Sequence, residues 1–437
     1  MALLTQAPKG TQDFLPIESA KFQYVEKLLR DTAELYGFYE IRTPVFEHTE
    51  LFVRSVGDTT DVVQKEMYTF TDKGDRSITL KPEGTAGAVR AAIERGLLGG
   101  QLPVKVSYIT PCFRYEKPQA GRYRQFHQFG LEMLGSDSPT ADAEIIGMVN
   151  GALVHLGVDK IRLRLNSIGC PECRPKYHEA LVAYLRQHED GLCPTCKERM
   201  KTNPMRVIDC KVPGCAEIVT GAPKMLDFLC EACDRHFASV KNYLGAMDIT
   251  FEIDPGIVRG LDYYTKTVFE FVTDAIGAQG TVCGGGRYDG LVEALGGGSV
   301  PGMGFAIGLE RLILVMEASG AEFPPMRPCD IYIATLGDAA RLHAAALVQK
   351  LRNEGFWAET DIMGRSMKAQ MRYADKIGAR YNVAIGDGEL ESGVVTLKNM
   401  RSGKTAMIPV DSEFVRYFYQ QIMEEGIDEA VASGDFD

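Results

Sequence analysis

Along the first part of the chain, apolar residues recur at helical spacing. Phe22, Val25, Leu28, Leu29, Ala33 and Leu35 mark one side of a helix expected over residues 18–36, and Gly37 supplies its stop. A strand-like run over 39–45 follows and breaks at Pro44; this helix and strand read either as packing or as a subunit contact. The stretch Leu80-Lys81-Pro82-Glu83-Gly84-Thr85-Ala86-Gly87 ends a strand and opens a helix over 86–95. Two further strand-like runs flank a loop at 117–123, predicting a hairpin. Its second strand places Phe126, Gln128, Gly130 and Glu132 on one face, and its first places Arg114 and Glu116 on one. Over residues 265–271 Thr265, Thr267, Phe269 and Phe271 alternate with Lys266, Val268 and Glu270, the period of two of an antiparallel strand. A glycine-spaced strand from Gly302 then turns into a helix whose first turn holds Arg311.

The proline-rich stretch 323–328 reads as a linker. After it, strands expected at 331–334, 357–361, 382–385 and 394–397 alternate with helices at 339–354 and 366–377, the pattern of a small α/β domain.

Length and composition narrow the class. A chain of 437 residues exceeds one compact core, and 45% hydrophobic with 24% charged residues is ordinary for a soluble globular protein. No signal peptide and no membrane-spanning apolar run is legible, so a cytoplasmic protein without a membrane partner is expected. A net charge of −11 argues against nucleic-acid binding by global attraction and leaves room for a local basic face. The acidic tail, residues 424–437, reads as frayed and solvated.

The candidate chemistry centres on Pro255-Gly256-Ile257-Val258-Arg259-Gly260-Leu261-Asp262-Tyr263-Tyr264, which leads into the 265–271 strand. One guanidinium, one carboxylate and two phenols between glycines form a binding wall. Glu83 and Thr85 stand at a helix start, where they either cap the helix or hold a cationic ligand group. Arg122 and Arg124 beside Tyr123 suit phosphate contact and base stacking, whereas His127 faces the other way and reads as a core histidine. Arg311 opposes its helix dipole, which an anionic partner would explain. Arg365, Lys368, Arg372 and Lys376 form one basic stripe, either merely solvated or facing a polyanion.

Eight of the 11 cysteines form pairs within a short span: Cys170 and Cys173, Cys193 and Cys196, Cys210 and Cys215, Cys230 and Cys233. Paired thiolates at this spacing indicate tetrahedral zinc, and the first two pairs fit the zinc-ribbon template closely. One or two structural zinc ions per chain are expected, each closed by four thiolates, with the pairing open.

Taken in order, these residues resemble a class II aminoacyl-tRNA synthetase, and specifically the histidyl-tRNA synthetase family. The helix and strand through Pro44 resemble motif 1, Phe113-Arg114-Tyr115-Glu116 with its hairpin resembles motif 2, and Gly304 to Arg311 resembles motif 3. The histidine-specific signatures are Arg259-Gly-Leu-Asp-Tyr-Tyr264 and Gly285-Gly-Arg-Tyr288-Asp-Gly-Leu. The resemblance implies an α+β catalytic core on an antiparallel sheet (1–165 and 247–325), a Cys-rich insertion (166–246) and an α/β anticodon-binding domain (329–423). It implies a homodimer that joins L-histidine, ATP with Mg2+, and tRNA(His). It further assigns Arg259 and Arg114 to catalysis, Arg114, Glu116 and Arg311 to ATP, and Glu83, Thr85, Gln128, Glu132, Arg259, Tyr263, Tyr264 and Tyr288 to histidine. Arg122 and Arg124, and the stripe Arg365 to Lys376, would meet tRNA. Lys81 stands where the family usually has Arg, and four cysteine pairs are not expected of every member. A non-catalytic relative, the regulatory subunit of ATP phosphoribosyltransferase, lacks the anticodon-binding domain; retention of Arg114, Arg259, Arg311 and the region after Pro328 favours the enzyme.

Overall fold

The computed structural model describes residues 5–58, 60–276 and 280–433, with side chains described as far as Glu424. The chain divides into two units, Met1–Pro324 and Pro325–Asp437.

In the first unit the strands are β1 Tyr39–Glu40, β2 Phe46–His48, β3 Tyr68–Thr71, β4 Ser77–Leu80, β5 Val104–Phe113, β6 Gln125–Leu134, β7 Arg162–Ser167, β8 Glu252–Ile253, β9 Thr265–Val272, β10 Thr281–Arg287 and β11 Gly302–Gly308. Eight of them form one sheet in the order β1-β5-β6-β11-β10-β9-β7-β8, and β2-β4-β3 form a small second sheet. The inner pairings are antiparallel, as expected, but β1 runs parallel to β5 and β8 parallel to β7. Both edge strands are reached by long crossovers, which permit parallel pairing where a hairpin cannot. The expected strand over 39–45 is likewise shorter. It leaves the sheet after the Ile41 N–H donates to Ser107 O (2.7 Å), and beyond Pro44, which has no N–H to donate, the chain enters the second sheet at β2.

Alternation decides which face of the large sheet is dry. Phe129, Leu131 and Met133 of β6, Met303, Phe305 and Ile307 of β11, and Phe269 and Phe271 of β9 pack into one core with residues of the helices Pro16–Leu35, Pro139–His155, Glu231–Ala246 and Leu309–Ser319. Each such aromatic or aliphatic side chain contributes about 1.5–3 kcal/mol by leaving water. The intervening positions, Gln128, Gly130 and Glu132 on β6, Gly302 and Gly304 on β11, and Glu270 on β9, occupy the opposite face.

Between β7 and β8 lies a helical module comprising Arg174–Gln187, Pro194–Thr202, Met205–Ile208, Pro213–Thr220 and Glu231–Ala246. Tyr177, Leu181, Leu185, Met200 and Val207 form its core together with the cysteines. Its last helix also sends Phe237, Val240 and Leu244 into the main core, so the module is welded to the sheet.

The second unit adds β12 Ile331–Thr335, β13 Ala358–Thr360, β14 Tyr381–Ile385, β15 Val394–Asn399 and β16 Thr405–Pro409, ordered β13-β12-β14-β15-β16. The three strands β13, β12 and β14 are parallel, linked through the helices Asp338–Asn353 and Met367–Lys376. The final helix spans Phe414–Ser433, so the acidic segment read as frayed is helical as far as Ser433, while residues 434–437 lie outside the described residues. Among the described residues no helix is long and apolar enough to cross a membrane.

Candidate active site

On the face opposite the core, a cleft is lined by Arg114, Glu116, Arg122, Tyr123, Gln128, Arg259, Gly284 and Arg311. Residues distant in sequence thus converge as expected. Arg259 hangs from the loop between β8 and β9, and its guanidinium pairs with the Glu270 carboxylate, which also accepts from Thr281 Oγ1 (3.0 Å). Burial opposes the charge on Arg259, but Glu270 together with the Tyr264 and Tyr263 phenols outweighs it and holds the guanidinium ionised. A side chain at Gly284 would overlap that guanidinium, so only glycine leaves Arg259 its place.

Arg114 and Glu116 do not sit on a strand. β5 ends at Phe113, because the chain turns there into the hairpin connection, and the pairing is prolonged by Arg114 N–H donating to Arg124 O (2.9 Å). Arg114 Nε donates to Pro82 O (2.8 Å), and its guanidinium lies over the Phe126 ring at 5.5 Å. Glu116, nearly buried, pairs with Arg122. Arg124 is stacked on Tyr115 at 3.8 Å. Arg311 Nη1 donates to Thr281 O (2.8 Å); burial and the neighbouring Arg122 and Arg114 push its pKa down. Three guanidiniums gathered in one cleft are suited to a polyanion. His127, read as a core histidine, is instead half-buried. Its ring Nδ1 and backbone N–H both meet Glu310 (2.9 Å each), and this hydrogen bond raises the histidine pKa.

Glu132 lies fully buried on β6. Tyr108 OH donates to one carboxylate oxygen (2.9 Å) and Tyr288 OH to the other. Burial lifts the Glu132 pKa to about 8 even though the donors favour the charged form. Glycines make this arrangement possible, since a Cβ at Gly84 or Gly130 would overlap Tyr108, one at Gly302 would overlap Tyr288, and one at Gly304 would overlap Glu132. Tyr263 packs at a tilt against Tyr264 with ring centroids 4.7 Å apart and meets Tyr288 edge-on at 5.6 Å.

Glu83 caps its helix: its two oxygens accept from the Thr85 and Ala86 N–H groups (2.7 and 2.8 Å), and burial raises its pKa. Thr85 Oγ1 lies 3.4 Å from Tyr108 OH, which ties the cap to the Glu132 network. Gln128 Oε1 accepts from the Cys112 thiol (3.3 Å). Lys81 is buried with Nζ on Thr43 O and Oγ1 (3.3 and 3.2 Å), and burial lowers its pKa.

The sequence reading missed Tyr108, Glu270 and Arg287. Arg287 is completely buried, its Nε donating to Asp142 (2.8 Å), its Nη1 to Ser136 O (2.9 Å) and Asp289 (3.0 Å), and its Nη2 to Ser138 O (3.0 Å). It fixes the strand end that presents Tyr288. The only sequence signal for such a residue is a charge in an otherwise buried strand.

The eight module cysteines gather into two groups, Cys170, Cys173, Cys230 and Cys233, and Cys193, Cys196, Cys210 and Cys215, whose sulfurs all lie within 4.8 Å of one another in each group. The first pair thus joins the fourth and the second joins the third, which answers the pairing the sequence left open, although by spacing the first two pairs fit a ribbon template together. That template rests on sequence spacing alone, whereas the helices after Cys173 and before Cys230 fold the ends of the module against each other. Cys170 Sγ is 3.6 Å from Cys173 Sγ and 3.9 Å from Cys230 Sγ. The edge of a zinc–thiolate tetrahedron with ~2.3 Å bonds is ~3.8 Å, so the donor set fits that ion. Backbone N–H groups of Cys230 and Cys193 donate to Cys173 Sγ (3.1 Å) and Cys215 Sγ (3.2 Å), as thiolates require.

In the second unit Lys368, Arg372 and Lys376 are exposed along the helix Met367–Lys376, but Arg365 precedes that helix and pairs with Asp361 (3.0 Å). The stripe is therefore shorter than expected, because Asp361, four residues upstream, neutralises its first member.

Comparison with known proteins gives two family matches, histidyl-tRNA synthetase over residues 10–312 and an anticodon binding domain over residues 330–419. A histidine–tRNA ligase of Acetivibrio thermocellus is 56% identical over 410 residues, covering 94% of this chain and 98% of that protein. One of Caldanaerobacter subterraneus is 54% identical over 409 residues, with the same coverage. The crystal structure of apo S. aureus histidyl-tRNA synthetase matches with a TM-score of 0.82 at 41% identity, over 95% of this chain and 100% of that one.

Proposed function

The chain belongs to the histidyl-tRNA synthetase family, and from that premise we propose how its own residues perform the reaction. It is a histidine–tRNA ligase: it activates L-histidine with ATP to histidyl-adenylate and pyrophosphate, then transfers histidine to the 3′ end of tRNA(His).

In the first step a carboxylate oxygen of histidine attacks the α-phosphorus of ATP, the bond to the bridging oxygen breaks, and pyrophosphate leaves. The attacking group is already ionised, so no base is required; alignment and positive charge carry the rate. Arg259 and Arg114 serve the α-phosphate and the carboxylate, Arg311 the far phosphates, and Glu116 the adenine side. ATP arrives as its magnesium complex, the metal screening the phosphates. The observation that carries this assignment is the crowding of Arg114, Arg122 and Arg311 beside Arg259 in one cleft.

Histidine lies along β6. Glu83, Thr85 and Gln128 hold its amino group, Glu132 and Tyr264 read the imidazole, and Tyr263 and Tyr288 enclose it. A neutral imidazole presents one donor and one acceptor, which a carboxyl group held between phenols can match. An analogue lacking either partner leaves a buried polar group stranded and is rejected strongly. In the second step a ribose hydroxyl of the tRNA terminus attacks the acyl carbon and AMP departs. Arg122 and Arg124, on the hairpin connection, would approach the acceptor end, and Lys368, Arg372 and Lys376 the anticodon side.

Each cysteine group would hold one structural zinc ion, closed by four thiolates and so without an open position for chemistry of its own. Homodimerisation through the first helix and strands is supported by apolar residues open to solvent there, Leu35 (85% exposed), Tyr39 (77%) and Phe46 (56%). Unpaired cysteines throughout suit the reducing cytoplasm.

The decisive experiment is pyrophosphate exchange into ATP with each amino acid in turn, repeated for Arg259→Ala. Exchange with histidine alone, lost in the variant, is expected. Equal exchange in Arg259→Ala would remove that arginine from the mechanism.

A further inference from the structure

The loop that carries Arg259, between β8 and β9, has no secondary structure of its own to stiffen it. From the sheet it receives Asn166, whose Nδ2 donates to Pro255 O (3.3 Å) and Ile257 O (3.1 Å), and from the helical region the Val56 carbonyl, which accepts from Asp262 N–H (3.0 Å). Its second half is gripped from the cysteine module. The Arg174 guanidinium donates to Tyr264 O, Arg206 Nη1 to Arg259 O (3.4 Å), and Asn203 Nδ2 to the Asp262 carboxylate (3.1 Å). At the start of β9, Lys266 N–H donates to Gly169 O (2.8 Å).

The origin of these grips in the chain is informative. Arg174 opens its helix directly after Cys173, and Gly169 directly precedes Cys170, so this grip is anchored by the group Cys170, Cys173, Cys230 and Cys233. Asn203 and Arg206 lie between Cys196 and Cys210, so theirs is anchored by the other group. A small cavity bounded by Arg174, Arg206, Val258, Arg259, Leu261 and Tyr264 marks the contact. Guanidiniums are costly to desolvate, and Arg174 buries its Nε with no partner among the described residues. Packing alone would be served better by an apolar side chain at that position; what the guanidinium adds is a hold on a backbone carbonyl.

We infer that Arg174 and Arg206 are positioning residues, holding the backbone of residues 259–264 so that the Arg259 guanidinium stays aimed into the cleft. The two cysteine groups serve the activation step by fixing the segments that carry these arginines. This rests on the reading of Arg259 as the phosphate-binding arginine. Displacing a catalytic group by about 1 Å can cost ~100-fold in rate.

The test uses the full chain with its metal, comparing wild type, Arg174→Met, Arg174→Lys and Arg206→Met. Amide hydrogen exchange of a peptide spanning residues 255–264 is read beside histidine-dependent pyrophosphate exchange and bound zinc. Arg174→Met should raise exchange of that peptide ~10-fold and lower kcat ~10- to 100-fold, with bound metal unchanged and ATP KM within ~3-fold of wild type; Arg174→Lys should recover part of both. Stripping the metal with a chelator should raise exchange of the same peptide. Unchanged exchange of residues 255–264 in Arg174→Met and Arg206→Met overturns the inference, and unchanged exchange after metal removal overturns the part assigned to the cysteine groups. If Arg174→Met fails to fold, Arg206→Met decides alone. Full activity of Arg259→Ala would defeat the underlying mechanism without touching the exchange result, so the two failures are distinguishable.

Discussion

Gly304 of β11 pairs across the sheet with Glu132 of β6, and a side chain at Gly304 would overlap the Glu132 carboxylate. The pocket thus owes its depth to missing atoms as much as to present ones. Gly304→Ala should displace Glu132 from Tyr108 and Tyr288. Overpacking of this kind costs ~1–3 kcal/mol, which corresponds to a ~5- to 150-fold loss in kcat/KM for histidine, with ATP KM changing less than ~3-fold. Pyrophosphate exchange at varied histidine and varied ATP separates the two; equal losses would place Gly304 outside the histidine site.

Glu132 also makes stability depend on pH. Burial raises its pKa from the ordinary 4.5 to about 8, so within that window the folded chain keeps a proton that the unfolded chain has released. Stability from this group is fully present below the unfolded value and is lost as pH rises through the folded one, by up to ~1.4 kcal/mol per pH unit. Glu132→Gln cannot titrate, so its melting temperature relative to wild type should improve steadily from about pH 5 to about pH 8. The same variant should lose histidine use far more than ATP use. A pH-independent difference in melting temperature, measured by calorimetry, would contradict a protonated Glu132.

The arrangement of the cysteines makes a sharper prediction than their number. Freshly purified chain should carry about two zinc ions, one for each group of four thiolates. Cys170→Ser combined with Cys233→Ser should lose one, because both belong to the same group, whereas Cys170→Ser combined with Cys193→Ser should lose both. Metal analysis of the two double variants reads the pairing directly, and the reverse pattern would restore the ribbon arrangement.

On the second unit, Arg372 is exposed along a short basic face with Lys368 and Lys376. If that face meets the tRNA backbone, Arg372→Glu should weaken tRNA binding and reduce the slope of log K against log salt by roughly one. Binding titrations at several salt concentrations are the check; an unchanged affinity and slope would leave the face merely solvated.

Much of the catalytic face could be read from the chain because it is local. The alternation around Phe269 and Phe271 announces β9, and glycine spacing announces β11 with Arg311 just beyond it. What could not be read depends on meetings between distant strands. Tyr108 looks like any strand aromatic until Gly130, its neighbour across β5 and β6, opens a space for it beside Glu132. Glu270 and Arg287 are charges whose partners, Arg259 and Asp142, are set by the fold rather than by spacing. Glu83 illustrates a third case: its residue type fits both a cap and a ligand, and in the structure both oxygens accept helix N–H groups.

The pairing of first cysteines with last and inner with inner makes the module a nested closure. Cys170 and Cys230, sixty residues apart, come to 3.9 Å. The outer clasp therefore brings the two ends of a long excursion together, and the sheet experiences it as a short bridge between β7 and β8, which pair in parallel at Arg164 with Glu252. Closing a long loop grows costlier only slowly with its length, so residues added inside such a clasp burden the sheet little. The inner segment is thereby tolerant of added length wherever Asn203 and Arg206 keep their hold on the Arg259 loop, while the outer cysteines keep the seam beside Arg259 in register.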